Sequence, residues 1–200
     1  MSCPIGSVCY DDGMRCFLAI ELPDRIKQQL ATLQQTLQAQ TTGIRWVRSE
    51  QIHLTVKFLG EVADGLVPQV GQVIADVVSR HASFDLHVKN VGCFPSRGSA
   101  RVAWVGLGDL PQTLVDLHKE TETALTDLGF ARENRPFKPH LTIGRINDPR
   151  TGYDIRRHIE RRKDFEAGSF PVSELVLFQS VLQRTGPIHT PIARCPLTQS

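Results

Sequence analysis

Apolar residues along this 200-residue chain follow two spacings, one typical of α-helices and one typical of β-strands. After Pro23 and Asp24, apolar residues recur at helical spacing until Gly43, which predicts a helix between them. Similar spacing predicts further helices at 64–80, 111–128 and 153–163. Short apolar or alternating runs predict strands at 15–22, 44–47, 51–60, 84–94, 100–107, 140–146 and 173–182. This mixture of elements favours an α+β fold.

The two halves of the chain repeat one order of elements. A strand, a helix and a strand beginning His-Leu-Thr span residues 17–60, and the same order spans residues 102–146. The first strands are offset by 85 residues and the His-Leu-Thr triplets by 87. Two copies of so long a repeat predict two pseudosymmetric lobes and not a solenoid. Residues 1–13 precede the repeat and are expected to form a disordered extension, with residues 14–200 as one bilobal domain.

The first triplet begins at His53, in the segment His-Leu-Thr-Val-Lys-Phe-Leu-Gly. Because residues i and i+2 of a strand point to the same face, regular alternation places His53, Thr55 and Lys57 together. The opposite, apolar face would then contain Ile52, Leu54, Val56 and Phe58. This strand is therefore predicted to be buried on one side and to present an imidazole beside a hydroxyl on the other.

The second triplet begins at His140 and places Thr142 on the same face. Regular alternation points Arg145 away from His140, unless a bulge at Gly144 turns it back. In a pseudosymmetric molecule the two His-Thr pairs can meet across a cleft. One imidazole can then donate a proton while the other accepts one, since histidine titrates near neutral pH.

A phosphate ester suits such a pair of motifs. Threonine hydroxyls can donate hydrogen bonds to its non-bridging oxygens, and cations can neutralise charge that develops on them. Arg145, Lys57 and Lys138 are the candidate cations. Metal binding is the alternative, but a catalytic zinc site needs about three protein ligands and no third ligand lies at a usable spacing. We therefore expect no metal.

Composition narrows the class of protein only slightly. The formal net charge of +2 is too small to indicate a general nucleic-acid carrier. The five cysteines include no Cys-x-x-Cys pair, which favours reduced thiols and a cytoplasmic protein. No apolar run reaches the ~18 residues that a membrane-spanning helix needs, so no membrane association is expected.

Five segments of the chain resemble the two-histidine (2H) phosphoesterase superfamily, whose signature is a pair of His-x-Thr motifs. Within it, they are similar to the RNA 2′,3′-cyclic phosphodiesterases of the LigT type, formerly called 2′–5′ RNA ligases. The segments are RCFLAIELP, IRWVRSEQIHLTVKFLGEV, RVAWVGL, RPFKPHLTIGR and SELVLFQSVLQRTGP. The resemblance runs from residue 14 to about residue 190.

This resemblance implies two lobes, each an antiparallel sheet with helices packed outside, and an active-site cleft between them. It implies cofactor-free hydrolysis of a 2′,3′-cyclic phosphate, on an RNA end or a small nucleotide, to a 2′-phosphomonoester. His53 would be the general acid toward the departing 3′ oxygen, and His140 the general base toward water. Thr55 and Thr142 would hold phosphate oxygens, helped by Arg145.

Trp46 and Phe58 also match family positions for substrate contact, although core packing is an alternative for both and the favoured one for Phe58. His189 departs from the family pattern, which often has Tyr there. The reverse reaction, ligation of 2′–5′ RNA ends, is a second possible activity. A non-catalytic RNA-binding module is a third reading, based on Arg45, Arg48, Arg132, Arg135 and the basic run 155–163. A self-contained two-lobed site predicts a monomer.

Overall fold

The computed structural model describes residues 13–184 and 186–199. Its strands are β1 (Gly13–Glu21), β2 (Ile44–Trp46), β3 (His53–Ala63), β4 (Phe84–Phe94), β5 (Val102–Leu107), β6 (Leu141–Ile146), β7 (Glu166–Val172), β8 (Glu174–Gln183) and β9 (Gly186–Pro196). Its α-helices are α1 (Asp24–Gln38), α2 (Val67–Val78), α3 (Gln112–Ala124) and α4 (Pro149–Glu160). The prediction for residues 1–12 lies outside the described residues, whereas Gly13 is the first residue of β1.

The described strands form two sheets, and their pairings are antiparallel. The first sheet has the strand order β3-β1-β8-β9, and the second has the order β2-β6-β5-β4-β7. The predicted α+β architecture with two antiparallel sheets is therefore confirmed. One triplet belongs to each sheet, since β3 lies in the first and β6 in the second.

The two strands that the apolar pattern did not predict, β7 and β9, are both edge strands. The strand β7 contains Gly168 and Pro171, and β9 contains Pro187, Pro191 and Pro196. Proline cannot donate a backbone hydrogen bond, so it is tolerated at a sheet edge and weakens the strand signal in the sequence. The helix α4 likewise begins four residues earlier than predicted, at Pro149.

The helix of each repeat crosses to the sheet of the other repeat. The helix α1 follows β1 of the first sheet, yet its Gln34 binds the carbonyl oxygen of Ile143 in the second sheet. Arg25 of α1 also donates to the carbonyl of Ser169 in β7. The helix α3 follows β5 of the second sheet, but it packs beside α2 and against β3. The repeats are therefore interleaved, and each lobe contains segments of both.

Burial of one face of each sheet forms the core. On the first sheet, Leu18 and Leu54 are fully buried under α2 and α3, together with Leu117 of α3. On the second sheet, Leu141 and Ile143 are fully buried toward α1 and α4. The opposite faces carry the His-x-Thr motifs. Within the described residues, no helix is long and apolar enough to cross a membrane.

We expect opposite stability effects from the same Gly→Ala change in two helices. A Cβ atom on Gly152 in α4 would lie 2.5 Å from the carbonyl oxygen of Ala100, so Gly152→Ala should lower the free energy of unfolding by about 1–3 kcal/mol. A Cβ atom on Gly71 in α2 would lie 3.8 Å from Ala193, an ordinary contact. Gly71→Ala should therefore raise the free energy of unfolding by up to about 1 kcal/mol, through helix propensity alone.

Urea unfolding followed by circular dichroism measures both changes. A Gly152→Ala protein as stable as the Gly71→Ala protein would contradict the close approach of α4 to the segment before β5.

Candidate active site

Both motif histidines are held by the same local hydrogen bond. The Nδ1 atom of His53 lies 2.8 Å from the carbonyl oxygen of Gln51, and Nδ1 of His140 lies 2.8 Å from the carbonyl oxygen of Lys138. A carbonyl oxygen can only accept a hydrogen bond, so Nδ1 carries the proton in each ring. The Nε2 atom of each imidazole is therefore the nitrogen available for acid–base chemistry.

The strands place each histidine beside its threonine. Along β3, His53 and Thr55 pair with Glu21 and Ala19 of β1, so both side chains lie on the face opposite the core. Along β6, Thr142 pairs with Trp104 of β5, again on the face away from the core. The predicted alternation is thus confirmed for the first motif. His140 precedes β6, and its ring contacts Phe94, which lies on the same face of the second sheet as Thr142.

The strands β3 and β6 bring these faces together. The strand β3 is an edge of the first sheet, and β6 is separated from the edge of the second sheet only by the three-residue β2. Cα atoms of β3 and β6 come within 8 Å of one another. The two motifs therefore lie on strands that are neighbours in space.

The alternation along β3 breaks immediately after Thr55. Leu18 of β1 pairs with Lys57 and Ala19 pairs with Thr55, so Val56 has no partner on β1 and forms a β-bulge. A bulge inverts the face of the residues that follow it, because the side-chain period of a strand is two.

The predicted faces of Lys57 and Phe58 are therefore wrong. Lys57 turns into the core, where it is only 6% exposed and its Nζ atom lies 2.8 Å from Oε2 of Glu122. An ammonium group committed to a buried carboxylate is not available to substrate, so the predicted substrate contact of Lys57 is not supported by this geometry. Phe58 turns to the cleft face, opposite Phe17, and is 68% exposed, which disagrees with the favoured core role.

A matching bulge occurs on β6. Ala103 of β5 pairs with Gly144 and Trp104 pairs with Thr142, so Ile143 is the residue without a partner on β5. The bulge lies one residue before the predicted position and has the predicted effect. It turns Arg145 to the same face as Thr142, where the Arg145 side chain is exposed.

The two remaining predicted substrate contacts are Trp46 and Lys138, and they lie in different surroundings. Trp46 pairs with Gly144, on the face opposite Arg145, and packs against the core. A Cβ atom on Gly144 would lie 3.1 Å from the Trp46 ring, so the indole occupies the space that this glycine leaves free. Trp46 is therefore a packing residue in this structure, as the alternative reading expected. Lys138 is exposed and supplies the carbonyl that binds His140.

Aromatic rings enclose His53. Its imidazole stacks on Phe17 with ring centroids 4.7 Å apart, and Phe17 stacks in turn on Phe178 at 5.2 Å. Burial against these rings is the largest cause that lowers the pKa of His53, which falls from 6.5 to about 4. The charge of His189 lowers this pKa further, while the hydrogen bond to Gln51 and the carboxylate of Glu21 raise it.

His189 is a site residue that the sequence marked only as a departure from the family pattern. Its ring lies edge-on to His53, with centroids 5.2 Å apart, and edge-on to Phe17 at 4.9 Å. Burial lowers the pKa of His189, and its Nδ1 atom is buried without a hydrogen-bond partner among the described residues. His53 and His189 both line a cavity of about 350 Å³ that also includes Lys27 and Arg48.

The surroundings of His140 are different. Phe94 lies edge-on to its imidazole, with centroids 5.0 Å apart. The segment that precedes it, residues 131–136, is exposed. Among the described residues, no group of three or more His, Cys, Asp or Glu side chains is placed to hold a metal ion.

We expect His53 to titrate near pH 4 in the free protein, because its burial disfavours the charged ring. His189→Phe should raise this pKa by removing a neighbouring positive charge, yet leave it below 6.5 because the burial remains. Histidine ring resonances followed by NMR across a pH series measure the change. His87→Phe, at a ring that pairs with Glu166 near the β7 edge of the second sheet, is the matched control. Titration of His53 at 6.5 in the unmodified protein would contradict the enclosure.

The internal repeat agrees with comparisons to known proteins. A family model described as LigT-like phosphoesterase matches residues 20–104 and again residues 105–189. The RNA 2′,3′-cyclic phosphodiesterase of Methanothermobacter thermautotrophicus is 32% identical over 177 residues, covering 88% of this chain and 95% of that protein. The protein of the same name from Methanocaldococcus jannaschii is 35% identical over 176 residues, covering 88% and 96%.

A solved structure is similar to this chain in its fold. The crystal structure of E. coli LigT complexed with 3′-AMP has a TM-score of 0.74 and 27% identity, covering 94% of this chain and 99% of that one. Each of the two matched segments contains one His-x-Thr motif. With relatives above 30% identity over most of both chains, these matches show that the chain belongs to the LigT-like phosphoesterase family.

Proposed function

We propose that this protein is a metal-independent RNA 2′,3′-cyclic phosphodiesterase that opens a cyclic phosphate to a 2′-phosphomonoester. The observation that supports the proposal is the pair of His-x-Thr motifs on two neighbouring strands, each imidazole bound through Nδ1 so that Nε2 is available. The names of the relatives in the two archaea, and the 3′-AMP complex of E. coli LigT, support an RNA end or small nucleotide as substrate.

Hydrolysis requires one proton acceptor and one proton donor. The Nε2 atom of His140 takes a proton from water as the water oxygen forms a bond to phosphorus. The bond from phosphorus to the 3′ oxygen breaks, and the protonated Nε2 of His53 gives its proton to that oxygen. The products are a 2′-phosphomonoester and a 3′-hydroxyl, and solvent restores the proton on His53 and removes the one on His140.

The remaining cleft residues neutralise charge on the phosphate and position the substrate. The hydroxyls of Thr55 and Thr142 donate to the non-bridging oxygens of the phosphate, and Arg145 neutralises charge that builds up on them. Phe58 offers an exposed aromatic face on which a nucleobase can stack. Arg45 pairs with Arg145 across β2 and β6 and adds a second cation on the same face.

The low pKa of His53 fits the acid role only in the presence of substrate. In the free protein the ring is neutral near pH 7, because its pKa is about 4. A bound phosphate anion favours the charged imidazole and raises this pKa, so His53 gains its proton with the substrate in place. We also retain two predictions from the sequence, a monomer and a cytoplasmic location.

We expect His53→Ala and His140→Ala each to lower kcat on a 2′,3′-cyclic nucleotide by about 10²–10⁴-fold, because each change removes one proton-transfer group. Turnover by the unmodified protein should persist in EDTA and follow a bell-shaped pH profile. Phosphorus NMR identifies the product, which should be the 2′-monophosphate.

His87→Ala is the matched histidine control and should retain full activity, since His87 pairs with Glu166 away from the motifs. Undiminished turnover in both motif variants would exclude the two-histidine mechanism. Salt-dependent RNA binding without turnover by the unmodified protein would instead favour a binding module.

A further inference from the structure

The two motif strands carry their bulges at equivalent positions. Val56 and Ile143 are 87 residues apart, the same spacing as between the motif histidines, and each follows the motif threonine. Each bulge inverts the alternation, so that Phe58 and Arg145 share the cleft face with their motif. Without the bulges, regular alternation would point both side chains toward the core.

The bulge at Ile143 is held by a side chain of the crossing helix α1. The Nε2 atom of Gln34 donates to the carbonyl oxygen of Ile143 at 2.8 Å and to the carbonyl oxygen of Val47 at 2.7 Å. The backbone N–H of Val47 also donates to Ile143, at 3.0 Å. Gln34 is only 7% exposed, so both N–H groups of its amide are used inside the protein.

The bulge at Val56 is held by an equivalent side chain of the crossing helix α3. Oε2 of Glu122, 88 residues after Gln34, accepts from Nζ of Lys57 at 2.8 Å. The same oxygen accepts from the backbone N–H of Glu133 at 3.0 Å, and Lys57 also donates to the carbonyl of Ala131 at 3.0 Å. The side chains of Lys57 and Glu122 are 4% and 9% exposed.

The contacts of Gln34 and Glu122 both determine which face of a strand the residues after the bulge occupy. Lys57 lies between the bulge and Phe58, so a buried carboxylate that binds Lys57 keeps that residue on the core side and Phe58 on the cleft side. Gln34 keeps the Ile143 carbonyl turned toward α1, which leaves Arg145 on the cleft side. An apolar residue at either helix position would fill the space but would offer no such bond.

We propose that Gln34 and Glu122 are a pseudosymmetric pair of positioning residues for the reaction. Gln34 acts through Arg145 and Glu122 acts through Lys57 and Phe58, and neither touches the substrate. The roles rest on the proposed phosphodiesterase function, because they are defined by what Arg145 and Phe58 do in the cleft.

A double-mutant cycle of Gln34→Met and Arg145→Ala tests the first half. Each single change should lower kcat/KM by a similar factor, on the order of 10–100-fold, because each removes the Arg145 charge from the phosphate. In the Arg145→Ala background, Gln34→Met should lower kcat/KM by no more than about twofold, since the group through which it acts is already absent. Gln35→Leu, at the adjacent exposed glutamine of α1, should leave kcat/KM unchanged.

A cycle of Phe58→Ala with the paired change Lys57→Met and Glu122→Leu tests the second half. Replacing both charges together leaves no unpaired buried ion, so the protein should remain folded. The paired change should raise KM for a cyclic nucleotide by the same factor as Phe58→Ala, with no further rise when all three are combined.

Additive effects on kcat/KM in the first cycle and on KM in the second would overturn the proposal. A merely structural role impairs activity whether or not Arg145 or Phe58 is present. Turnover by the unmodified protein tests the proposed function separately. Should that protein prove inactive, the affinity for inorganic phosphate, measured by calorimetry, replaces kcat/KM in the Gln34 cycle. The same non-additive pattern is then expected, and additive losses in phosphate affinity would again overturn the role of Gln34.

Discussion

Burial of one face of β3 and β6 under helices from the opposite repeat is the constraint on which the candidate site depends. Leu54 of β3 is fully buried on the side of α3, and Leu141 of β6 is fully buried on the side of α1. Because an inward-facing residue at i+1 forces its neighbours outward, each His-x-Thr pair is turned to the cleft. One of the two helices that bury each strand, α3 for β3 and α1 for β6, comes from the other half of the chain, so neither sheet has its complete core without both halves.

The interleaving also explains how two nearly identical motifs acquire different surroundings. Both imidazoles bind a backbone carbonyl two residues earlier, and both precede a bulge. The first sheet surrounds His53 with Phe17 and His189, whereas the second sheet places Phe94 beside His140. Acid–base catalysis by two histidines requires one proton donor and one acceptor, and this asymmetry distinguishes two rings that the repeat makes alike.

The polar groups inside the core affect the direction of neighbouring side chains more than they affect the free energy of unfolding. A buried ion pair such as Lys57–Glu122 gains little net free energy, because desolvation of both charges offsets their attraction. Its effect is on the strand, where it keeps Lys57 on the core side of β3 and Phe58 on the cleft side. The amide of Gln34 has the corresponding effect on β6 without carrying a charge.

Local pattern predicted much of the fold. The four helices and seven of the nine described strands follow from apolar spacing, and the repeat of His-Leu-Thr at 53 and 140 indicated a two-lobed molecule with a shared site. The edge strands β7 and β9 were not predicted, because an edge strand tolerates proline and needs no continuous apolar face.

The sequence by itself determined that each His and its Thr share a face, since two residues of regular alternation suffice for that. Only the tertiary structure decided where Lys57, Phe58 and Arg145 point. Their faces depend on bulges bound by Glu122 and Gln34, which lie 65 and 109 residues away from their partners Lys57 and Ile143. A contact between segments so distant in sequence changes no local periodicity, so the pattern around His-Leu-Thr contained no sign of it.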